Sequence, residues 1–212
     1  MKLFLSGGGS GEDSIELDKK FAKEVGDKPL LYIPIAINRK KHPFRNCLEW
    51  ISETFNPLGV SKIEMWTEKE LREKSEEELN KFGGVYIGGG NTFYLLKELR
   101  DSGFIPKLIK LIKNDIPVYG GSAGAVIFAK TILSVLSMDT NEVGLTNFDA
   151  MNFVHGYDLW VHYKPKMDRE IKQYVNKYGL TVIAVPENAG LHVTEGNIEA
   201  IGPGHVRYFN EG

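Results

Sequence analysis

The sequence predicts an α/β fold built around a mainly parallel β-sheet, and three observations support this prediction. Short apolar runs recur along the chain, and they are nearly continuous rather than alternating, as in parallel strands that are buried on both faces. Longer segments with apolar residues at helical spacing lie between these runs. Several of the runs end in clusters of glycine. Strands and helices that alternate in this way form βαβ units with right-handed crossovers.

Six apolar runs are predicted as strands of this sheet. They cover residues 3–5, 30–37, 63–66, 85–87, 118–119 and 180–185. A different pattern follows them in residues 190–202, where apolar and polar residues alternate on both sides of Glu195, Gly196 and Asn197. This alternation around a turn predicts a β-hairpin.

Five segments are predicted as helices. They cover residues 14–25, 44–55, 91–103, 104–115 and 123–133. The third has the clearest bounds, because Asn91 is a favourable N-cap residue and Gly103 a favourable residue after the last turn. Since no repeat, low-complexity segment or linker interrupts the pattern, we predict a single domain over residues 1–212.

Composition limits the classes of function to consider. The net charge of −2 gives no electrostatic reason to expect a nucleic acid partner. A single cysteine, Cys47, excludes an intrachain disulfide and a cysteine-based zinc site, and we predict that it is a small core residue. The start of the chain does not match a signal peptide, and no apolar run approaches the length needed to cross a bilayer. We therefore expect a cytoplasmic protein without a membrane partner.

Three glycine clusters follow apolar runs, at residues 7–11, 88–90 and 120–124. Ligands of open parallel sheets bind at the carboxyl ends of the strands, so the three clusters predict the edge at which a site forms. The first cluster does not match the dinucleotide-binding pattern, and the sequence contains no Walker A pattern. We therefore expect no nucleotide or other cofactor, and no metal.

The third cluster has the spacing of a nucleophile elbow. In PVYGGSAGAVIF, residues 117–128, Ser122 stands between Gly120 and Gly124, after an apolar run and before a helical pattern. This turn strains the backbone at the nucleophile and brings the chain on either side very close, which explains the two glycines. It also leaves the backbone N–H of Ala123 at a helix N-terminus, where it can stabilise an oxyanion.

A serine nucleophile needs a base, and the base needs an acid that orients it. His162 follows an apolar run and is the preferred base among the five histidines: His42, His155, His162, His192 and His205. Acids between the serine and this histidine are Asp139, Glu142, Asp149 and Asp158. Glu187 is a further candidate, because it directly follows the run at residues 180–185.

Four segments together resemble the family of aspartyl dipeptidases and cyanophycinases, which are serine peptidases. They are GGVYIGGGNTFYLLKEL, PVYGGSAGA, LWVHY and TVIAVPEN, and their order and spacing fit over nearly the whole chain. The resemblance implies a three-layer, flavodoxin-like α/β sandwich related to class I glutamine amidotransferases, which have cysteine at the elbow. It also implies that Ser122 is the nucleophile and His162 the base.

The resemblance further implies the surroundings of the nucleophile. The loop at residues 88–91 would lie beside the elbow, and the N–H of Gly89 or Gly90 would join that of Ala123 in an oxyanion hole. Asn91 in the same loop is expected to contact substrate.

The resemblance leaves two candidates for the third catalytic residue, and we predict Asp139 ahead of Glu187. A basic residue after the histidine would bind an acidic side chain of the substrate, and Lys166 and Arg169 are the candidates.

Three functions are weighed on these grounds. The first is a serine peptidase that hydrolyses di- or tripeptides, with aspartate favoured before the scissile bond; its partner would be a small peptide substrate. The second is an esterase of the α/β-hydrolase type, which the order Ser122, Asp139, His162 permits, although the chain is short and contains no HGGG loop. The third is a catalytically inactive homologue that binds a small ligand. A homodimer is left open.

Overall fold

The fold contains ten β-strands and eight α-helices in a computed structural model that describes residues 1–37 and 41–210. The strands are β1 (Leu3–Ser6), β2 (Leu30–Ile33), β3 (Ile63–Met65), β4 (Gly84–Ile87), β5 (Val118–Gly121), β6 (Asp158–Trp160), β7 (Val182–Ala184), β8 (Gly190–Val193), β9 (Ile198–Ile201) and β10 (Arg207–Phe209). The helices are α1 (Ile15–Val25), α2 (Phe44–Phe55), α3 (Glu68–Glu73), α4 (Glu76–Leu79), α5 (Thr92–Asp101), α6 (Phe104–Lys113), α7 (Ala123–Val126) and α8 (Asp168–Tyr178).

A seven-stranded central sheet has the order β3-β2-β4-β5-β1-β8-β9. The five strands from β3 to β1 pair in parallel, and β8 and β9 continue the sheet as an antiparallel hairpin. Helices α1 and α2 pack on one face, while α5, α6 and α7 pack on the other. This arrangement confirms the three-layer sandwich with a mainly parallel sheet, and β8 and β9 confirm the predicted hairpin.

The predicted strand at residues 180–185 belongs to a different sheet. Its central residues form β7, which pairs in parallel with β6 and antiparallel with β10 in a separate three-stranded sheet. This small sheet has its own core, in which Val182 and Phe209 pack with Ile171 and Tyr174 of α8. A continuous apolar run indicates burial on both faces but does not indicate which sheet buries it, so the sequence pattern could not separate β7 from the central strands.

Two predicted elements are shorter in the structure by four residues or more. Strand β2 ends at Ile33 because Pro34 follows and begins a turn, in which the N–H of Ile37 donates to the carbonyl of Pro34. Helix α7 ends at Val126 instead of continuing to residue 133. Beyond it, the buried carboxylate of Asp158 accepts hydrogen bonds from the N–H (2.6 Å) and hydroxyl (2.7 Å) of Thr131, so the chain is held against β6 and leaves the helical path.

Asp18 is a buried acid on α1. It lies on the face of the central sheet where Tyr32, Tyr86 and Tyr119 are packed. Its carboxylate accepts a hydrogen bond from the Ser14 hydroxyl (2.7 Å) and is bonded by the Tyr119 side chain. Desolvation outweighs these bonds and raises the pKa of Asp18 from 3.8 to about 6. Because the folded state holds the proton more tightly than the unfolded chain, ionisation of Asp18 destabilises the fold as the pH rises from about 4 to about 6.

The Asp18→Asn variant should therefore gain stability relative to the wild type as the pH rises. A shift of about two pKa units corresponds to about 3 kcal/mol, so the difference in unfolding free energy should change by about 2–3 kcal/mol in favour of the variant between about pH 4 and pH 8. Urea unfolding of both proteins across this range measures the change. A difference that is independent of pH would contradict the proposed desolvation of this carboxyl.

Candidate active site

Ser122 lies at the sharp turn between β5 and α7. Its backbone has φ 49° and ψ −110°, a conformation that residues with a side chain rarely adopt. A Cβ atom at Gly120 would lie 2.3 Å from the carbonyl oxygen of Gly124, and one at Gly124 would lie 2.2 Å from that of Ile87. No side chain fits at either position, so the two glycines that flank the serine permit the strained turn that carries its hydroxyl.

His162 lies just beyond β6, and its ring meets the serine. Its backbone also has a positive φ of 53°, and its N–H donates to the carbonyl of Gly7 at 2.7 Å. The ring Nε2 is 2.8 Å from the Ser122 Oγ, which is hydrogen-bond distance. This pair of atoms is the arrangement in which a hydroxyl can give its proton to an imidazole.

Glu187 faces the other ring nitrogen of His162. Its Oε1 lies 2.9 Å from Nδ1, and both side chains are partly exposed. Because a carboxylate only accepts hydrogen bonds, this contact favours the tautomer with hydrogen on Nδ1, which leaves the Nε2 lone pair for Ser122. The serine, the histidine and the glutamate thus form one continuous hydrogen-bonded chain.

Asp139 does not contact His162, and our preference for it over Glu187 is corrected on this point. Its Oδ2 accepts a hydrogen bond from the N–H of Thr92 at 2.7 Å, at the start of α5. Both nitrogens of the His162 ring already have other partners. The carboxylate of Asp139 therefore stabilises a helix N-terminus instead of orienting the histidine.

The three glycine clusters converge around these side chains. A Cβ at Gly8 would lie 2.2 Å from the His162 ring, and one at Gly9 would lie 2.3 Å from the Glu187 carbonyl. At the second cluster, a Cβ at Gly89 would lie 3.2 Å from the Ser122 Cβ, while one at Gly90 would lie 2.1 Å from the Ala36 carbonyl. The close approaches that the glycines permit are mostly contacts between the loops of the site.

The loop at residues 88–91 lies beside the nucleophile, as expected from the sequence. Within residues 1–37 and 41–210, the backbone N–H groups of Gly89, Gly90 and Ala123 donate to no protein acceptor. Gly89 is adjacent to Ser122, whereas Gly90 has φ 138° and packs on Ala36. The N–H groups of Gly89 and Ala123 are therefore the better placed pair for an oxyanion.

The three expected substrate-binding residues are Asn91, in the loop beside the nucleophile, and Lys166 and Arg169, around the start of α8. The Asn91 side chain caps α5, because its oxygen accepts from the N–H of Tyr94 (2.9 Å) and its amide donates to the Thr140 carbonyl (2.8 Å). Both amide atoms of Asn91 therefore have a protein partner, and its contact with substrate stays a prediction. Lys166 and Arg169 are exposed around the start of α8, and in the described part of the chain neither forms a hydrogen bond or ion pair with Ser122, His162 or Glu187.

A cavity of about 340 Å³ opens beside Gly89, and sequence reasoning did not identify it. We call it the aromatic cavity; it is lined by Tyr32, Ile37, His42, Asn46, Cys47, Trp50, Tyr86, Gly88 and Gly89. Its residues come from β2, α2, β4 and the loops after the strands. The one signal in the sequence was the position of Trp50, Asn46 and Cys47 on one side of the helix at residues 44–55.

A Gly8→Ala substitution should lower kcat by roughly 10²-fold, because the new methyl group would displace the His162 ring by an ångström or more. Gly59→Ala is the matched control. Gly59 also has a large positive φ (95°, against 110° at Gly8), but a Cβ there meets no atom within 4 Å. Steady-state kinetics and thermal unfolding of both variants separate backbone strain, which both share, from displacement of the ring. Equal losses of kcat would contradict the prediction.

Among the described residues, no cluster of three or more His, Cys, Asp or Glu side chains could hold a metal ion. Likewise, none of the described helices combines the length and the apolar character that crossing a membrane requires. The hydrogen-bonded chain of Ser122, His162 and Glu187 is an arrangement that can perform nucleophilic chemistry.

Comparisons with known proteins find peptidases similar to this chain. The chain is 31% identical to a peptidase named Lmo0363 from Listeria monocytogenes over 82% of this chain and 83% of that protein. It is 26% identical to peptidase E of Haemophilus influenzae strain Rd, over 90% of this chain and 88% of the relative. A solved Listeria monocytogenes structure superposes with a TM-score of 0.77 at 25% identity and covers 96% of this chain and 98% of its own.

A second solved structure, a peptidase from an acI-B1 actinobacterium, shares the fold. Its TM-score is 0.69 at 18% identity, and the match covers all of this chain and 94% of the other. The model of peptidase family S51 matches residues 3–201 and so includes β1, the elbow, His162 and Glu187. The chain therefore belongs to peptidase family S51, as its four motif segments indicated, and is a serine peptidase.

Proposed function

We propose that this peptidase hydrolyses short peptides through an acyl-enzyme on Ser122. The observation that carries the proposal is the pair of contacts at His162, with Ser122 Oγ at 2.8 Å from Nε2 and Glu187 Oε1 at 2.9 Å from Nδ1. A hydroxyl, an imidazole and a carboxylate in this order supply a nucleophile, a general base and an orienting acid.

In the first half of the reaction, Ser122 Oγ forms a bond to the scissile carbonyl carbon while its proton passes to Nε2 of His162. The carbonyl oxygen becomes an oxyanion, which accepts hydrogen bonds from the N–H groups of Gly89 and Ala123. The C–N bond then breaks as His162 returns the proton to the leaving amine. Glu187 stays ionised and stabilises the imidazolium that forms between the two proton transfers.

In the second half, water replaces the amine. His162 takes a proton from the water as its oxygen bonds to the acyl carbon, and then returns the proton to Ser122 Oγ as the ester bond breaks. The products are a peptide or amino acid with a free carboxylate and the regenerated serine. The site is built from short loops at strand ends, which supports di- and tripeptides as substrates in preference to folded protein.

Covalent labelling tests this proposal directly. A fluorophosphonate probe should modify Ser122, and mass spectrometry of the digested protein should find the adduct on the peptide that contains residues 117–128. An intact, folded protein that the probe does not label would favour the inactive, ligand-binding homologue. Hydrolysis of simple esters with no turnover of peptides would favour the esterase.

A further inference from the structure

The aromatic cavity has a rigid wall of packed rings. The rings of Tyr32 and Tyr86 lie 5.6 Å apart between centroids, and Trp50 lies 6.0 Å from Tyr86. Tyr86 is further fixed by stacking on Tyr119, with ring centroids 4.5 Å apart and planes at 14°. Tyr32 and Tyr86 are buried, whereas Trp50 is 37% exposed, so a large aromatic side chain is left at the mouth of a preformed cavity.

The cavity adjoins the loop that lies beside the nucleophile. Gly89, which lines it, is the residue whose Cβ position lies 3.2 Å from the Ser122 Cβ. The Tyr86 hydroxyl reaches to within 3.0 Å of the Cβ position of Gly121, the residue before the nucleophile. A group bound in the cavity would therefore lie next to the carbonyl that Ser122 attacks.

The order of strands determines which part of a substrate the cavity could hold. The cavity lies over β2 and β4, the nucleophile follows β5, and His162 contacts Gly7 and Gly8 beyond β1. Because His162 must protonate the leaving amine, the amine has to face the β1 side of Ser122. The cavity lies on the opposite side, so its occupant comes from the acyl part of the substrate.

The lining determines the chemistry of that occupant. Apart from two glycines, its described lining consists of three aromatic residues, one isoleucine, one cysteine and the polar residues His42 and Asn46, and it includes no aspartate, glutamate, lysine or arginine. A volume of about 340 Å³ is at the lower end of the range of ligand pockets, about 300–1,000 Å³, and suits one side chain. An apolar side chain could be desolvated there without leaving a buried charge unpaired.

We propose that the aromatic cavity is the specificity pocket of this peptidase and binds an aromatic or branched aliphatic side chain on the residue that supplies the scissile carbonyl. The inference rests on the proposed acyl-enzyme function. It differs from an acidic preference mediated by Lys166 or Arg169, because it assigns recognition to apolar contact on the β4 side of the nucleophile.

A series of dipeptides with one constant leaving residue and glycine, alanine, leucine, phenylalanine or aspartate before the scissile bond tests the inference. Wild-type kcat/KM should be highest for phenylalanine or leucine. Trp50→Ala should lower kcat/KM for phenylalanine about fivefold to tenfold and leave that for glycine unchanged, because glycine does not enter the cavity. Glu49→Ala, on an exposed position of the same helix, should change neither value.

A second variant controls for a general destabilisation of the fold by Trp50→Ala. Asn46 is exposed at the cavity, so Asn46→Lys should fold normally while it places a cation there. The ratio of the aspartate to the phenylalanine kcat/KM should rise about tenfold. An aspartate preference in the wild type, or equal losses for every substrate in both variants, would overturn the inference.

Labelling distinguishes this failure from failure of the proposed function. The fluorophosphonate probe should modify Ser122 in the wild type, Trp50→Ala and Asn46→Lys alike. Labelling at Ser122 together with unchanged selectivity would refute the specificity pocket alone. Absence of labelling in the wild type would refute the acyl-enzyme, and the pocket assignment with it.

Discussion

Replacing Ser122 with alanine should lower kcat for peptide hydrolysis by roughly 10⁴-fold or more while the protein remains folded. In the proposed mechanism the hydroxyl bonds to substrate, and its 2.8 Å contact with His162 is its only hydrogen bond within the described residues. Loss of the hydroxyl removes the nucleophile and leaves the backbone N–H groups of Gly89 and Ala123 in place. Purified wild type and variant, compared on one dipeptide, give the measurement.

The backbone at Ser122 supplies a control for this substitution. With φ 49°, the position is strained for alanine as it is for serine, whereas glycine adopts such a conformation freely. Ser122→Gly should therefore be as inactive as Ser122→Ala but more stable by about 1 kcal/mol. His205→Ala, at an exposed histidine outside the hydrogen-bonded chain, should retain full activity. A Ser122→Ala protein with more than a tenth of wild-type turnover would contradict the proposed mechanism.

The central sheet was predictable from sequence because strands that are buried on both faces have a recognisable pattern of apolar residues. Parallel strands covered by helices on both sides have apolar residues at successive positions, as in β2 and β4, whose four residues are all buried. The elbow was predictable for a similar reason. Its two glycines are required because a Cβ atom at either position would lie 2.3 Å or 2.2 Å from neighbouring backbone. Such a requirement appears in the sequence as glycine at a defined spacing from the serine.

The partner of His162 was harder to predict, because a carboxylate that follows an apolar run has the same appearance whether it orients a histidine or caps a helix. Asp139 follows a short 3₁₀ helix at residues 133–137, whereas Glu187 follows β7, so the position of Glu187 depends on the second sheet. Strand β7 carries Glu187 past the ring of His162 at the end of β6, while Asp139 lies against the N-terminus of α5. The pairing of β6 with β7 has no signature of its own in the sequence.

The aromatic cavity was not predictable because no single segment contains it. Tyr32 and Tyr86 come from neighbouring strands with residues 32 and 86 in direct register, and Trp50 comes from a helix that packs over them. Each of these aromatic residues, taken alone, has the character of a core residue. Only the packing of α2 across the ends of β2 and β4 leaves a space between them.

Glu187→Gln and Asp139→Ala should have opposite effects on activity and stability. Glu187→Gln keeps the shape of the side chain but removes the charge that, in the proposed mechanism, stabilises the His162 imidazolium. We therefore expect kcat to fall roughly 10²- to 10³-fold with little change in the unfolding free energy. The expected loss is smaller than for a fully buried acid, because water reaches the partly exposed side chain. Asp139→Ala removes the acceptor of the Thr92 N–H and should cost about 1 kcal/mol of stability with little loss of kcat.

Two measurements on each variant, kcat on a dipeptide and urea unfolding, decide between the two acids. A purely structural Glu187 would lower stability and kcat together, whereas an orienting acid lowers kcat alone. If Asp139→Ala loses activity and Glu187→Gln retains it, the hydrogen bond between Glu187 and His162 has no role in catalysis, and the acid must reach the histidine through a rearrangement of the loop that precedes Thr140.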